Sequence, residues 1–377
     1  AAHLPVRWEV LFYVGLVVVA LLMRVWELGD RSLHHDESLH AVYSWYIYGG
    51  QGYVHNPLMH GPFQFHMNAL LFFLLGDTDT IARIGYSLFG TVLVGMPWFL
   101  RQWLGRTGAM VAAGLIAFSP TILYFSRFAR NDIIIAVLTL GIVIVMWRHL
   151  HEQQDRYFYI LAGLLALAFA SKETMYLFMI PISLFLAFLS LGDIKGLFLG
   201  RLRLSQVGPS ATLLLMFVTL SLPLAAAGIS IFQGPLEIVL SNDDTSAGLI
   251  GMPLGAGRFV AALTVASTLA VSVAIGLMWN WRKWLVSMGI FTTIWILLYT
   301  NFFTSPFGIV TGVWQGLGYW LAQQDVARGD QRIALRDKRL GPRIEFAGGR
   351  GVENAGSGGN DKRESKGYGG VAHQQIL

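Results

Sequence analysis

Apolar runs recur along this chain from Leu11 to Asn301, many of them long enough to cross a lipid bilayer. Only 13% of its 377 residues are charged, about half the share of an average soluble chain, while 54% are hydrophobic. That balance fixes the fold class as an all-α polytopic membrane protein. The first run, Val10 to Leu28, has charged flanks at Arg7, Arg24 and Glu27 and no small-residue cleavage site, so it reads as a retained span and not as a secretory signal. The absence of cysteine excludes disulfides and thiolate metal sites.

The runs predict about nine spans, near 10–28, 82–100, 109–126, 133–147, 158–171, 175–192, 211–232, 259–281 and 284–301. Residues 62–75 are shorter and broken by Gln64, His66 and Asn68, which suits a helix lying at the interface. Loop charge sets the orientation. If 62–75 does not cross, Arg7, Arg101, Arg106, Arg148, Arg156, Lys195, Arg201, Arg203, Arg282 and Lys283 fall in the cytoplasm. The outer side receives Arg31, Arg127, Arg130 and Lys172, with Arg24, Arg83 and Arg258 at span ends. Residues 29–81 then form one long outer loop with interfacial helices near 36–48 and 62–75. The domain expected is 1–331. Residues 332–377 hold nine of the 27 basic residues, five of the 22 acidic ones and ten glycines, a composition that predicts a disordered tail. The remainder is close to neutral and offers no basic face for nucleic acid.

This orientation gathers four polar clusters on the outer side: His34–His40, Arg127–Asp132, Lys172–Glu173 and Glu237–Asp244. They read as walls of one cavity. Asp36 and Glu37 stand where a helix begins, so they suit either an N-terminal cap or a general base with a raised pKa. His35 and His40 are five residues apart and cannot share a helical face as the histidines of a zinc protease must. Asp36 and His40 do share one, which leaves a carboxylate–imidazole metal site open. His55, His60 and Tyr43 add polar groups to the same loop. Arg127 and Arg130 beside Asp132 suit a phosphate with or without its divalent cation, or simple anchoring to headgroups. Lys172 suits a lipid phosphate or an ion pair with Glu173. No phosphate-binding glycine loop supports ATP as the energy source.

In order, the stretches His35-Asp36-Glu37-Ser38-Leu39-His40-Ala41, Asn56-Pro57-Leu58-Met59-His60-Gly61-Pro62, Asp77-Thr78-Asp79-Thr80-Ile81-Ala82-Arg83, Arg127-Phe128-Ala129-Arg130-Asn131-Asp132 and Ser171-Lys172-Glu173-Thr174 resemble the GT-C glycosyltransferases. The likeness is to the branch of protein mannosyltransferases and lipid A aminoarabinose transferases, and it spans about residues 8–331. It implies a GT-C-type helix bundle that transfers a sugar from a polyprenyl-phosphate donor to a lipid, glycan or protein acceptor, at the outer face of the plasma membrane. Carried over, Asp36 is the general base, with Glu37 as the second candidate. Asp132 becomes the acid associated with metal or donor phosphate; apart from the likeness, the face it shares with Asp36 makes His40 a candidate ligand for a divalent cation. Arg127, Arg130 and Lys172 become donor-phosphate contacts; apart from the likeness, His35, His55, His60 and Tyr43 are candidates to line the acceptor site or the cavity. Family members normally carry further spans, so the resemblance leads one to expect a chain that is C-terminally incomplete. The competing reading is a non-catalytic transporter or flippase-associated accessory protein that binds lipid-linked saccharides in the same cavity.

Overall fold

The computed structural model describes residues 6–323, and among these there is no β-strand. The glycine-rich segment 332–377, expected to be disordered, lies outside the described residues. Helix α1 spans Val6–Val25 and is followed by two helices of the first loop, α2 (His35–Tyr48) and α3 (Phe63–Leu75). Then come α4 (Asp79–Gly95), α5 (Arg101–Phe118), α6 (Pro120–Ser126), α7 (Asp132–Glu152), α8 (Arg156–Phe169), α9 (Thr174–Leu189), α10 (Leu191–Phe198) and α11 (Pro209–Ser221). The last are α12 (Gln233–Leu236), α13 (Gly257–Tyr299), α14 (Gly308–Val310) and α15 (Gly316–Ala322).

Trp8–Val25, Asp132–Glu152 and Gly257–Tyr299 are each long and apolar enough to cross a membrane. Counting each bent pair as one span, among them Asp79–Phe118 with α6 and α9 with α10, raises the number to at most six among the described residues. The 43 residues of α13 would reach about 64 Å at ~1.5 Å each, twice a ~30 Å hydrocarbon core. Asn280 breaks that length with φ −159° and ψ 95°, so α13 is two spans folded back at a single residue. Its halves pack closely, with Trp284 lying against Gly276.

Contacts sort the helix ends into two groups. At one end Arg127 Nη1 donates to the Met23 carbonyl at 2.7 Å, Asn131 Nδ2 to that of Ser171 at 2.7 Å, and the Tyr299 hydroxyl to that of Phe169 at 3.0 Å. At the other, Arg106 faces Glu9 at 3.6 Å, the rings of Trp103 and His151 meet, and Lys283 pairs with Asp155 at 2.6 Å. Helix α3 begins and finishes at the first end. Its Phe63 N–H donates to the Ala170 carbonyl, Asn68 Nδ2 donates to the Ala82 carbonyl, and Asp77 just beyond it accepts from Trp45 Nε1. Leu70, Phe73, Leu74 and Leu75 leave its outer surface apolar and exposed.

The main core joins α4, α7, α8, α9, α11 and α13 around Ile134, Ile142, Leu165, Met216 and Phe291. Lipid tails are as apolar as these side chains, so close packing drives helix association here. Small residues permit it: a Cβ at Gly90 would lie 2.1 Å from the Ser126 hydroxyl oxygen, where α4 meets α6.

Candidate functional site

The first turn of α2 separates two neighbouring carboxylates. His34 caps the helix, its Nδ1 accepting from the Asp36 N–H at 3.2 Å, and Glu37 closes the capping box by accepting from the His34 N–H at 3.0 Å. Glu37 also accepts from Arg83 Nε (2.8 Å), Arg83 Nη2 (2.9 Å), the Ala129 N–H (2.9 Å) and Arg31 (3.3 Å). Its side chain is 0% exposed and that of Arg83 1%. Burial alone would raise the Glu37 carboxyl, but the hydrogen bonds from Arg83, His34 and Ala129 outweigh it and hold the group below the usual carboxylate value. Arg83 further donates to the carbonyls of Leu28, Arg31 and Ser32, so one ion pair fastens the first loop to α4 and to the turn after α6.

The capping role therefore falls to Glu37, and Asp36 is left to face outward. Its side chain is 40% exposed and meets Arg130 Nη1 at 3.1 Å. Arg130 Nε lies 3.6 Å from Asp132, whose other oxygen accepts from Lys172 Nζ. Asp36, Arg130, Asp132 and Lys172 thus form an alternating row drawn from three separate turns of the chain. Asp132 opens α7, where the positive end of the helix dipole favours an acid. The hydrogen bond from Asn131 to Ser171 holds the last two turns together.

His60 sits beside the row. Its Nδ1 is 2.7 Å from Glu173 Oε2, and its ring stacks on Trp320 at 5.3 Å and 8°. With φ 66° and ψ −163°, His60 occupies a region suited to glycine, at a cost of order 1–3 kcal/mol. The segment is clipped in place by hydrogen bonds from the Gly61 and Phe63 N–H groups to the Ser171 and Ala170 carbonyls. A Cβ on Gly61 would lie 2.2 Å from the Ala170 oxygen, so only glycine allows that approach. Behind the row, His40 is buried, with Gln64 3.4 Å from its Nδ1. Burial, then the nearby charges of His60 and Arg130, lower it to about 4 against the opposing pull of Asp36 and Asp132.

Residues 59–222 match the model of the dolichyl-phosphate-mannose-protein mannosyltransferase family, a stretch that contains His60, Arg83, Arg130, Asp132, Lys172 and Glu173. That stretch is 164 of the 377 residues, and the likeness supports a membrane glycosyltransferase of the GT-C superfamily. Among curated proteins and solved structures, none matches it. The all-helical architecture agrees with a GT-C bundle, and the family implies a lipid-linked sugar donor and an acceptor.

Several side chains that the sequence assigned to this glycosyltransferase's site have other work. Glu37, the second candidate base, has its oxygens filled by donors and is shut from solvent. Arg127 donates to the Met23 and Glu27 carbonyls and so caps α1 instead of reaching into the row. His55 is buried, with Nδ1 2.9 Å from the Thr311 hydroxyl and its ring against Tyr299, and burial lowers it to about 3. Tyr43 packs with Tyr46 and Phe65 between α2 and α3. His35 is exposed on the first turn of α2. The Glu237–Asp244 cluster docks on the C-terminal segment, where Trp314 donates to the Leu240 carbonyl and Ser241 to that of Gly318.

The metal expectation meets an unsuitable donor set. Both oxygens of Asp132 face cationic side chains, and Nδ1 of His40 faces Gln64. Among the described residues no three histidine, aspartate or glutamate side chains converge as a metal site. Sequence reasoning missed Arg83 and Trp320 as parts of the site and gave Glu173 no role beyond an ion pair with Lys172. The Asp77–Arg83 motif is the signal for Arg83, and direct adjacency to Lys172 the signal for Glu173.

Proposed function

We propose that this glycosyltransferase moves a sugar from a polyprenyl-phosphate donor to a hydroxyl-bearing acceptor on the extracytoplasmic side of the plasma membrane, with Asp36 as general base. The observation that carries the proposal is the row Asp36–Arg130–Asp132–Lys172 at the mouth of a membrane bundle, in which partly exposed Asp36 meets Arg130 and Asp132 links Arg130 to Lys172. The donor phosphate binds Arg130 and Lys172, and Arg130 exchanges one carboxylate for it. The acceptor oxygen attacks the anomeric carbon while its proton passes to Asp36. The bond from that carbon to the phosphate oxygen breaks with its electrons remaining on the phosphate, and the two cations stabilise the charge left there. A single base suffices for this displacement, which inverts the anomeric centre. No step passes through a metal ion.

The sidedness rests on charge. Arg101, Arg106, Arg148, Arg156 and Lys283 lie at the end of the bundle opposite the row, and basic loops stay in the cytoplasm. On this reading 29–81 stays outside, with α2 and α3 at the lipid interface. The matching family's description makes a mannosyl donor and a protein acceptor the first pair to try, ahead of lipid and glycan acceptors.

Two measurements test this. The chain contains no cysteine, so Gln51→Cys and Gln154→Cys report on sidedness without background. A membrane-impermeant maleimide added to intact cells labels the first and spares the second; the reverse pattern overturns the topology. Purified chain in lipid nanodiscs binds labelled polyprenyl-phosphate mannose and transfers the sugar. Donor binding with no transfer to protein, glycan or lipid acceptors favours the accessory-protein reading instead.

A further inference from the structure

His60 and Glu173 flank the ionic row and take no part in the scheme above. We propose that they form the subsite for the sugar being transferred, in which His60 Nε2 accepts a hydrogen bond from a ring hydroxyl and Glu173 acts as a positioning residue. The proposal rests on the donor reading. The Nδ1–Oε2 contact of 2.7 Å places a proton on Nδ1, so in the neutral imidazole Nε2 is the acceptor for a substrate hydroxyl. Both side chains are nearly buried, at 10% and 13% exposure, and Trp320 covers one face of the imidazole.

Position points to the sugar. Glu173 directly follows Lys172, and Lys172 reaches Asp132 at the end of the row assigned to the phosphate. Two groups hang from the donor phosphate. The prenyl chain is apolar and has no use for a hydrogen-bonded histidine, whereas the sugar is bonded directly to the phosphate and carries hydroxyls. The left-handed backbone at His60, the clip to Ala170 and Ser171, and the requirement for glycine at 61 all hold this one ring in place. A strained residue fixed from several directions beside the reacting groups is the pattern of a ligand clamp.

The test compares binding of bare polyprenyl phosphate with binding of its mannosyl, glucosyl and N-acetylglucosaminyl forms, on full-length protein in nanodiscs. Wild type is expected to bind at least one glycosylated form about tenfold or more tightly than the bare phosphate. His60→Asn and Glu173→Gln should bring that ratio close to one while bare phosphate binding stays within about twofold. His60→Gly suits the local backbone without strain, so loss of the ratio in that variant is not a folding defect. A ratio unchanged in the variants overturns the subsite, as does a wild type that binds all forms equally. Failure of wild type to bind even polyprenyl phosphate would count against the donor reading itself.

Discussion

Asp36 and Glu37 are consecutive acids on one helical turn, and the structure treats them in opposite ways. Glu37 is sealed, meets Arg83 through two hydrogen bonds and takes three further donors. Asp36 is two-fifths exposed and meets one arginine that it shares with Asp132. A carboxylate whose lone pairs are all occupied cannot accept a substrate proton, whereas one held by a single exchangeable cation can. The sealed clasp fixes the first loop against α4, and the open row lies on the surface so fixed. The same two charge types thus form a closed clasp in one place and an open, partly exposed row a residue away.

The comparison breaks if the clasp proves dispensable. Glu37→Gln leaves the Arg83 guanidinium buried without its anion, and unpairing a buried ion pair costs about 3–5 kcal/mol. Thermal unfolding in detergent should show a large drop in melting temperature, whereas Asp36→Asn should melt close to wild type. Equal melting of the two variants would erase the distinction. In the row, Lys172→Met removes the cation proposed to meet the donor phosphate and should weaken polyprenyl-phosphate binding by up to about a hundredfold, with little change in melting. Unchanged binding would remove Lys172 from the phosphate site.

A smaller effect concerns acid. His40 is neutral in the fold down to about pH 4 but takes up a proton near 6.5 when unfolded. Between those values the unfolded chain binds more protons, so stability falls as pH falls, by about 2 kcal/mol from pH 7 to 5. The groups facing His40 are His60, Arg130, Asp36 and Asp132. Glu37, lowered from its ordinary value, adds to the loss only below about 4.5, because its stabilising charge is present above that point. Melting curves at pH 7 and 5 should differ less in His40→Gln than in wild type, and an unchanged difference would acquit His40.

Hydropathy alone located most of the bundle, since lipid demands long apolar helices whatever their partners. The break at Asn280 falls within the span predicted at 259–281, and one continuous helical run with a single misfit residue replaces the expected loop. The ionic motifs around Asp36, Asp132 and Lys172 also stood out, because charge near lipid is rare. Their partners did not. Glu37 and Arg83 are 46 residues apart, His60 and Glu173 113, and nothing local announces which distant side chain completes a buried pair. Arg127 misled for a related reason: an arginine at a helix end serves carbonyls as readily as phosphates, and only the fold shows which is in reach.

The central claim is that Asp36, and not Glu37, accepts the acceptor's proton. Its most direct test is transfer from labelled polyprenyl-phosphate mannose, with donor binding measured in parallel, by wild type and Asp36→Asn. Asp36→Asn should bind donor within about threefold of wild type and transfer the sugar about 10²–10⁴-fold more slowly. Transfer at the wild-type rate by Asp36→Asn would contradict that claim.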